Sequence, residues 1–145
     1  MKRVVITGMG IYSCIGKNLV EAKTSLYEGK SGIVFDQNRI DFGYRSAFTG
    51  MVEIPDLKPF LSRRQRISLG EEATYAYVAT KEALDNAKID QDFLENHEIG
   101  IIYGNDSTAK STVESVDKIR EKNDTTLVGS GAIFKAMNST VTMNL

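Results

Sequence analysis

The stretch Arg-Val-Val-Ile-Thr-Gly-Met-Gly at residues 3–10 decides the expected fold. Val4 to Thr7 are all β-branched, so Arg3 to Thr7 is predicted to be a parallel strand buried on both faces. Gly8 then opens a loop that reaches Lys17 and contains three glycines. A buried strand that ends in a glycine loop is typical of α/β proteins.

Helix signals follow this loop. Asn18, with a glutamate three residues later, has the pattern of a capping box, and Gly29 suits the position just after a helix. These two signals predict a helix over residues 19–28. A short apolar run covers residues 32–35, and residues 36–60 are predicted to form loops and short edge strands.

The middle of the chain repeats the helix and strand pattern. Ser62 is a candidate N-cap for a long helix over residues 62–87. Ile99 to Tyr103 is predicted to be a second buried strand, and it ends at Gly104 much as the first strand ends at Gly8. The fold class is therefore α/β with a mostly parallel sheet core.

The last third is less regular. A short helical turn is expected at residues 92–95, a polar helix with weak periodicity at 107–122, and a loop at 123–131. From Ala132 the chain becomes apolar and shows no capping signal, so we expect the final element to continue beyond residue 145.

Composition limits the possible chemistry. The chain has 145 residues, a net charge of −1, one cysteine and one histidine. One Cys and one His provide neither a disulfide nor a Cys/His zinc site, and the near-zero charge disfavours nucleic-acid binding. The apolar start is short and interrupted by glycines, unlike a signal peptide. We therefore expect a cytoplasmic protein with no metal and no membrane partner.

The glycine loop permits an alternative function. Gly8-x-Gly10 follows a strand, and Asp36 lies about twenty residues beyond Gly16, as in dinucleotide-binding proteins. However, Ser13 occupies the position of the third glycine, and the helix begins too late for the glycines to hold a pyrophosphate. A structural tight loop is the favoured interpretation, and a small nucleotide-binding module is the alternative.

Two further residues are weak candidates for catalysis. Cys14 lies in the glycine loop without a neighbouring base in the sequence, so we interpret it as a small buried thiol. His97 lies in a polar turn, where most histidines are solvated. Neither residue is assigned a catalytic role.

Three arginines form the sharpest charge feature. Arg63, Arg64 and Arg66 cluster at the predicted N-terminus of the long helix, where the helix dipole disfavours cations. They form either a solvated helix end or a docking patch for an acidic partner. Charge pattern alone leaves both interpretations open.

The motifs together resemble one enzyme family. Residues 3–16, RVVITGMGIYSCIG, are similar to the opening of the elongating β-ketoacyl-acyl-carrier-protein synthases. Weaker matches follow in the family's order, and it is their order and spacing that make the set specific. They are EGKSGI at 28–33, SRRQR at 62–66, ALDNA at 83–87 and IGIIYG at 99–104.

The resemblance implies a fold and an activity. These enzymes have a layered, thiolase-like αβαβα fold, are usually homodimers and need no cofactor. They load an acyl group on a cysteine, decarboxylate malonyl-carrier protein and join the two by a Claisen condensation, with two histidines assisting. The family's nucleophile and histidines match positions beyond residue 145. Residues 1–145 are therefore expected to be the amino-terminal part of such a domain, cut before the nucleophile and inactive alone.

The resemblance also implies three supporting roles. Arg63 and Arg66 match basic positions that contact the acidic acyl carrier protein. Phe134 and Met137 match the segment that lines the acyl pocket at the dimer interface. Ser107 matches a position that tunes acyl-chain length, although this chain has Gly-Asn-Asp-Ser where the family is usually glycine-rich.

Other functions of the same scaffold remain open at this point. A full-length protein without the nucleophile would be a non-catalytic partner of the chain-length-factor type. A domain that has lost its chemistry would serve only in structure or interaction.

Overall fold

The computed structural model describes residues 3–105 and 109–145, whose regular elements are helices apart from one short sheet, joined by irregular segments. The elements in chain order are α1 (Leu19–Tyr27), β1 (Ile33–Phe35), α2 (Gln37–Asp41), β2 (Phe48–Gly50), α3 (Arg63–Ile67), α4 (Glu71–Ala87), α5 (Gln91–Asn96), α6 (Ala109–Lys122), α7 (Gly131–Lys135) and α8 (Thr140–Asn144). None of the helices in this described part of the chain is long and apolar enough to cross a membrane.

The glycine loop packs directly on helix α4. A methyl group added at Gly8 would overlap the carbonyl oxygen of Ala83, and one added at Gly10 would overlap that of Ala79. Only residues without a Cβ allow the loop backbone to approach the helix this closely. The small side chains on this side of α4 leave the room that the loop occupies.

Polar side chains of α4 hold the same loop. The Glu82 carboxylate accepts the backbone N–H of Ile11 at 2.9 Å and that of Leu19 at 2.8 Å. Asn86 accepts the backbone N–H of Met9 at 3.2 Å. Since Leu19 is the first residue of α1, the Glu82 carboxylate joins both the loop and the start of α1 to α4.

The main core lies where α4 meets α8. Its buried apolar side chains are Leu57, Leu69, Ala73, Ala76 and Val141. Val141 is 1% exposed and brings α8 against α4. Leu61, Tyr77, Val78 and Leu145 pack around this cluster.

The sheet is a two-stranded antiparallel pair. Ile33 pairs with Gly50 and Phe35 with Phe48, and the two phenylalanine rings meet edge to face at 6.1 Å. The predicted short apolar run at 32–35 and an edge strand within 36–60 are confirmed here.

The two predicted buried strands are wrong for the described chain. Arg3 to Thr7 forms no strand, and Val4 is 94% exposed. Ile99 to Tyr103 forms none either, and Ile102 is fully exposed. Neither run makes a backbone hydrogen bond within residues 3–105 and 109–145. An apolar β-branched run becomes a strand only beside a pairing neighbour, so the mostly parallel sheet core is not confirmed.

The predicted helix over residues 62–87 is also wrong as a single element. It is divided into α3 and α4 at residues 68–70, where Gly70 has extended backbone angles and serves as the N-cap of α4. Leu69, 4% exposed, turns into the core at this break. Burial of Leu69 and the Gly70 cap end one helix and begin the next.

The helix-capping residues predicted from the sequence are confirmed. The Asn18 side chain accepts the N–H of Glu21 at 2.9 Å, and Gly29 follows the helix with a φ of +64°. Ser62 and Gln65 form a reciprocal capping box at the start of α3. The helical turn expected at 92–95 is α5, and the polar helix is α6, beginning at Ala109. The loop expected at 123–131 overlaps the start of α7.

Substitution of Gly10 by alanine should destabilise the chain by about 1–3 kcal/mol, because the new methyl group would overlap helix backbone rather than a movable side chain. Urea denaturation followed by circular dichroism measures this change. Gly100→Ala is the matched control, since nothing lies within 4 Å of a Cβ at Gly100. Equal denaturation midpoints for the two variants would contradict the proposed close packing.

Candidate functional site

The arginine cluster lies on a short, well-capped helix. Ser62 Oγ accepts the N–H of Gln65 at 3.4 Å, while Gln65 Oε1 accepts the N–H of Ser62 at 3.0 Å. This reciprocal pair begins α3 and fixes the backbone that carries the arginines. The cluster therefore projects from an ordered turn and not from a loose segment.

The three arginines differ in their surroundings. Arg66 is half-buried, and its Nε donates to the Leu61 carbonyl at 3.1 Å, so it helps to hold the chain that leads into α3. Arg63 and Arg64 are exposed. Within residues 3–105 and 109–145, every ion pair uses a lysine, which leaves both exposed guanidinium groups without a carboxylate partner.

Two residues beside the arginines were missed by sequence reasoning. Phe60 is 52% exposed just before α3, and the Lys81 ammonium of α4 lies 5.7 Å from the centre of its ring. Because Phe60 and Lys81 are far apart in sequence, no local pattern could pair them. We name Lys58, Phe60, Arg63, Arg64, Arg66 and Lys81 the basic surface.

Phe134 and Met137 lie on a second surface. Phe134 is at the end of α7 and is 44% exposed, and Met137 follows in the next turn and is 43% exposed. Ile133 and Met143 nearby are 68% and 67% exposed. We name the exposed apolar side chains of Ile133, Phe134, Met137 and Met143 the apolar segment.

The backbone beneath the apolar segment is firmly held. The hydroxyl of Thr140, 3% exposed, donates to the Phe134 carbonyl, and the N–H of Met137 donates to the same oxygen at 3.1 Å. Gly131, at the start of α7, sits against the backbone of Ile67 where a Cβ would not fit. The apolar side chains are therefore presented by an ordered frame.

Helix α6 joins this region to α4. Lys110 forms an ion pair with Glu71 in the first turn of α4, and the hydrogen bond to that carboxylate raises the pKa of Lys110. The Ser111 hydroxyl donates to the Ala132 carbonyl at 3.3 Å and so joins α6 to α7. Ser107, predicted to tune chain length, lies outside the described residues.

Cys14 lines a groove of about 650 Å³ beside β1 and β2. Its thiol is half-buried and lies against Gly32 and Gly50, where added Cβ atoms would crowd the sulfur. The groove also contains the exposed ion pair of Lys17 and Glu53, in which the lysine lowers the pKa of the Glu53 carboxyl. Packing against two glycines accounts for a small residue at position 14.

His97 has a local structural role. Its Nδ1 lies 2.9 Å from the Phe93 carbonyl, and its ring stacks on the Phe93 ring at 3.9 Å. His97 therefore caps the C-terminus of α5. No cluster of His, Cys, Asp or Glu suited to a metal ion occurs in the described ranges.

The glycine loop does not have the geometry of a nucleotide site. Gly8 and Gly10 face α4, and the N–H of Leu19 at the start of α1 is already bound by Glu82. Asp36, the residue that would bind the ribose of a dinucleotide, accepts the N–H of Asn38 at 3.0 Å and caps α2. The groups that would bind a dinucleotide are engaged within the fold.

A family model provides the broadest comparison. The model described as beta-ketoacyl synthase, N-terminal domain, matches residues 1–144. The match covers the glycine loop, the basic surface and the apolar segment alike.

Curated relatives agree with this match. The 3-oxoacyl-[acyl-carrier-protein] synthase 1 of Buchnera aphidicola subsp. Schizaphis graminum is 35% identical over 141 residues, which are 96% of this chain and 35% of that protein. The enzyme of the same name from Escherichia coli K12 is 34% identical over 97% of this chain and 35% of its own length. The chain thus spans about a third of these relatives.

A solved structure shows the same likeness. A beta-ketoacyl synthase from Burkholderia phymatum superposes with a TM-score of 0.84 at 25% identity. The superposition covers 99% of this chain and 36% of that one. The described elements therefore have the fold of the matching part of a beta-ketoacyl synthase.

Proposed function

We propose that this chain, which belongs to the beta-ketoacyl synthase N-terminal domain family, is the part of a 3-oxoacyl-[acyl-carrier-protein] synthase that receives the carrier protein. The whole enzyme would join an acyl thioester to malonyl-carrier protein with loss of carbon dioxide, in fatty acid or related synthesis. The match over residues 1–144 and the names of the relatives support this proposal.

The carrier protein docks on the basic surface. The observation that carries this proposal is the exposure of Arg63 and Arg64 without carboxylate partners in the described chain. Guanidinium groups bind carboxylates in two-point contacts, and an acidic partner would supply those carboxylates. Long-range attraction between the two surfaces would also speed their encounter.

Arg66 has two roles in this proposal. Its Nε donates a hydrogen bond to the Leu61 carbonyl, while the terminal nitrogens of its guanidinium contribute positive charge to the basic surface. Arg63 therefore provides the cleaner test of docking, because substituting it removes no hydrogen bond within the described fold.

The apolar segment forms a homodimer interface and one wall of the acyl pocket. Phe134 and Met137 are the central side chains, and Ser107, outside the described residues, is the third residue of this proposed site. The exposure of four large apolar side chains, Ile133, Phe134, Met137 and Met143, within eleven residues supports this interface, because exposed apolar patches mark interaction sites.

The two exposed apolar runs would be buried in the thiolase-like layered fold of the whole enzyme. We propose that Arg3 to Thr7 and Ile99 to Tyr103 become strands of its mostly parallel sheet. Two contacts beside these runs support this. Gly8 and Gly10, which follow the first run, rest on α4, and Tyr103 at the end of the second run lines a cavity of about 290 Å³ that Gly10 also lines.

Reversal of charge at Arg63 tests the docking role. Arg63→Glu should weaken binding of a bacterial acyl carrier protein by about tenfold at about 50 mM salt, since a repulsive contact replaces an attractive one. The loss should shrink at about 500 mM salt, where charges are screened. Fluorescence anisotropy of a labelled carrier protein measures both affinities.

Lys23→Glu is the matched control, because Lys23 is an exposed cation on α1 and the substitution gives the same net charge. Its effect should be small at either salt concentration. Equal affinities for the Arg63 variant and the unaltered chain at low salt would refute docking at this surface.

A charge in the apolar segment tests the homodimer. Phe134→Asp should weaken self-association by about tenfold, because the new carboxylate would lose water at the interface. Sedimentation equilibrium measures the dimerisation constant, and Phe42→Asp is the control, since Phe42 is 84% exposed on another part of the chain. Unchanged association of the Phe134 variant would contradict this interface.

A further inference from the structure

Phe60 is an exposed aromatic ring on a rigid turn. The N–H groups of Phe60 and Leu61 both donate to the Leu57 carbonyl, at 3.1 and 2.9 Å. Leu57 is 3% exposed, and Leu61 packs against the core, so the turn is anchored from inside. Phe60 itself remains 52% exposed. The chain presents this ring to solvent, although Leu57 and Leu61 of the same turn face inward.

A lysine ammonium lies over the ring. Lys81 reaches it from α4, with its ammonium 5.7 Å from the ring centre, and the same ammonium lies 3.7 Å from the Asp85 carboxylate. A cation over an aromatic face is attracted to the ring's π electrons. This contact favours one orientation of the Phe60 ring, which lowers the entropy lost when a partner covers it.

Other cations lie close to Phe60 in the sequence. Lys58 precedes it by two residues and Arg63 follows it by three, and both are exposed. Two carboxylates belong to the same region: Asp85 is paired with Lys81, and Asp56 accepts the N–H of Lys58 at 2.9 Å. Both carboxylates are engaged within the fold, whereas Arg63 and Arg64 have no carboxylate partner in the described chain.

We propose that Phe60 is the apolar anchor of the basic surface, and that its partner is an acidic protein with an exposed apolar side chain among its carboxylates. The inference rests on the proposed docking function and adds the chemistry of the contact. Arginine carboxylate contacts orient the partner, and burial of the ring supplies the part of the affinity that salt does not screen. An aromatic side chain enclosed by polar contacts is the usual form of an interface hot spot.

Truncation of the ring separates the two contributions. Phe60→Ala should weaken binding of a bacterial acyl carrier protein by about tenfold at both low and high salt, because the lost contact is apolar. Phe60→Asp should weaken it further at low salt, because it adds repulsion of an acidic partner. Phe42→Ala is the control, since it removes an exposed phenylalanine elsewhere.

Circular dichroism and a urea midpoint for each variant verify that the fold is kept. An unchanged affinity for folded Phe60→Ala, alongside weakened binding by Arg63→Glu, would overturn the anchor and leave docking intact. Unchanged affinity for both variants would overturn docking as well. Binding of the unaltered chain to phosphatidylglycerol vesicles that depends on Phe60, with carrier binding independent of it, would also overturn the inference.

Discussion

The close contact between the glycine loop and α4 is the constraint on which the other described elements depend. Gly8 and Gly10 bring loop backbone against helix backbone, and Glu82 and Asn86 accept three of the N–H groups that this approach presents. Buried or half-buried backbone donors are costly when unpaired, so the side chains of α4 make the approach possible. The loop, the start of α1 and α4 consequently behave as one unit.

Helix α4 also carries both proposed binding surfaces. Its core side packs on α8, which carries Met143 of the apolar segment, and its first turn holds α6 through Glu71 and Lys110. Lys81 reaches from the same helix to Phe60 on the basic surface. A shift of α4 would therefore alter the carrier-protein surface and the dimer surface together, although the two are formed by different segments.

Sequence reasoning succeeded where the signal was local. Asn18, Gly29 and Ser62 end or begin helices through contacts with residues a few positions away, so their roles were readable from spacing alone. The family likeness was likewise readable, since it rests on ordered motifs along the chain.

Features that depend on distant partners were not predictable in the same way. Val4 and Ile102 have strand-forming sequence, yet pairing requires a neighbour that residue type does not specify. The pairing of Lys81 with Phe60, and of Glu82 with the loop, joins segments far apart in sequence. The arginine cluster was recognisable in the sequence, but the difference between exposed Arg63 and half-buried Arg66 depends on the three-dimensional packing.

Amide hydrogen exchange measured by NMR tests the joining of the glycine loop to α4 most directly. The amides of Ile11 and Leu19 should be protected to a degree similar to those in the middle of α4, and Glu82→Ala should remove that protection while α4 stays protected. Exchange of Ile11 and Leu19 in the unaltered chain as fast as that of exposed Val4 would contradict the claim that this contact organises the fold.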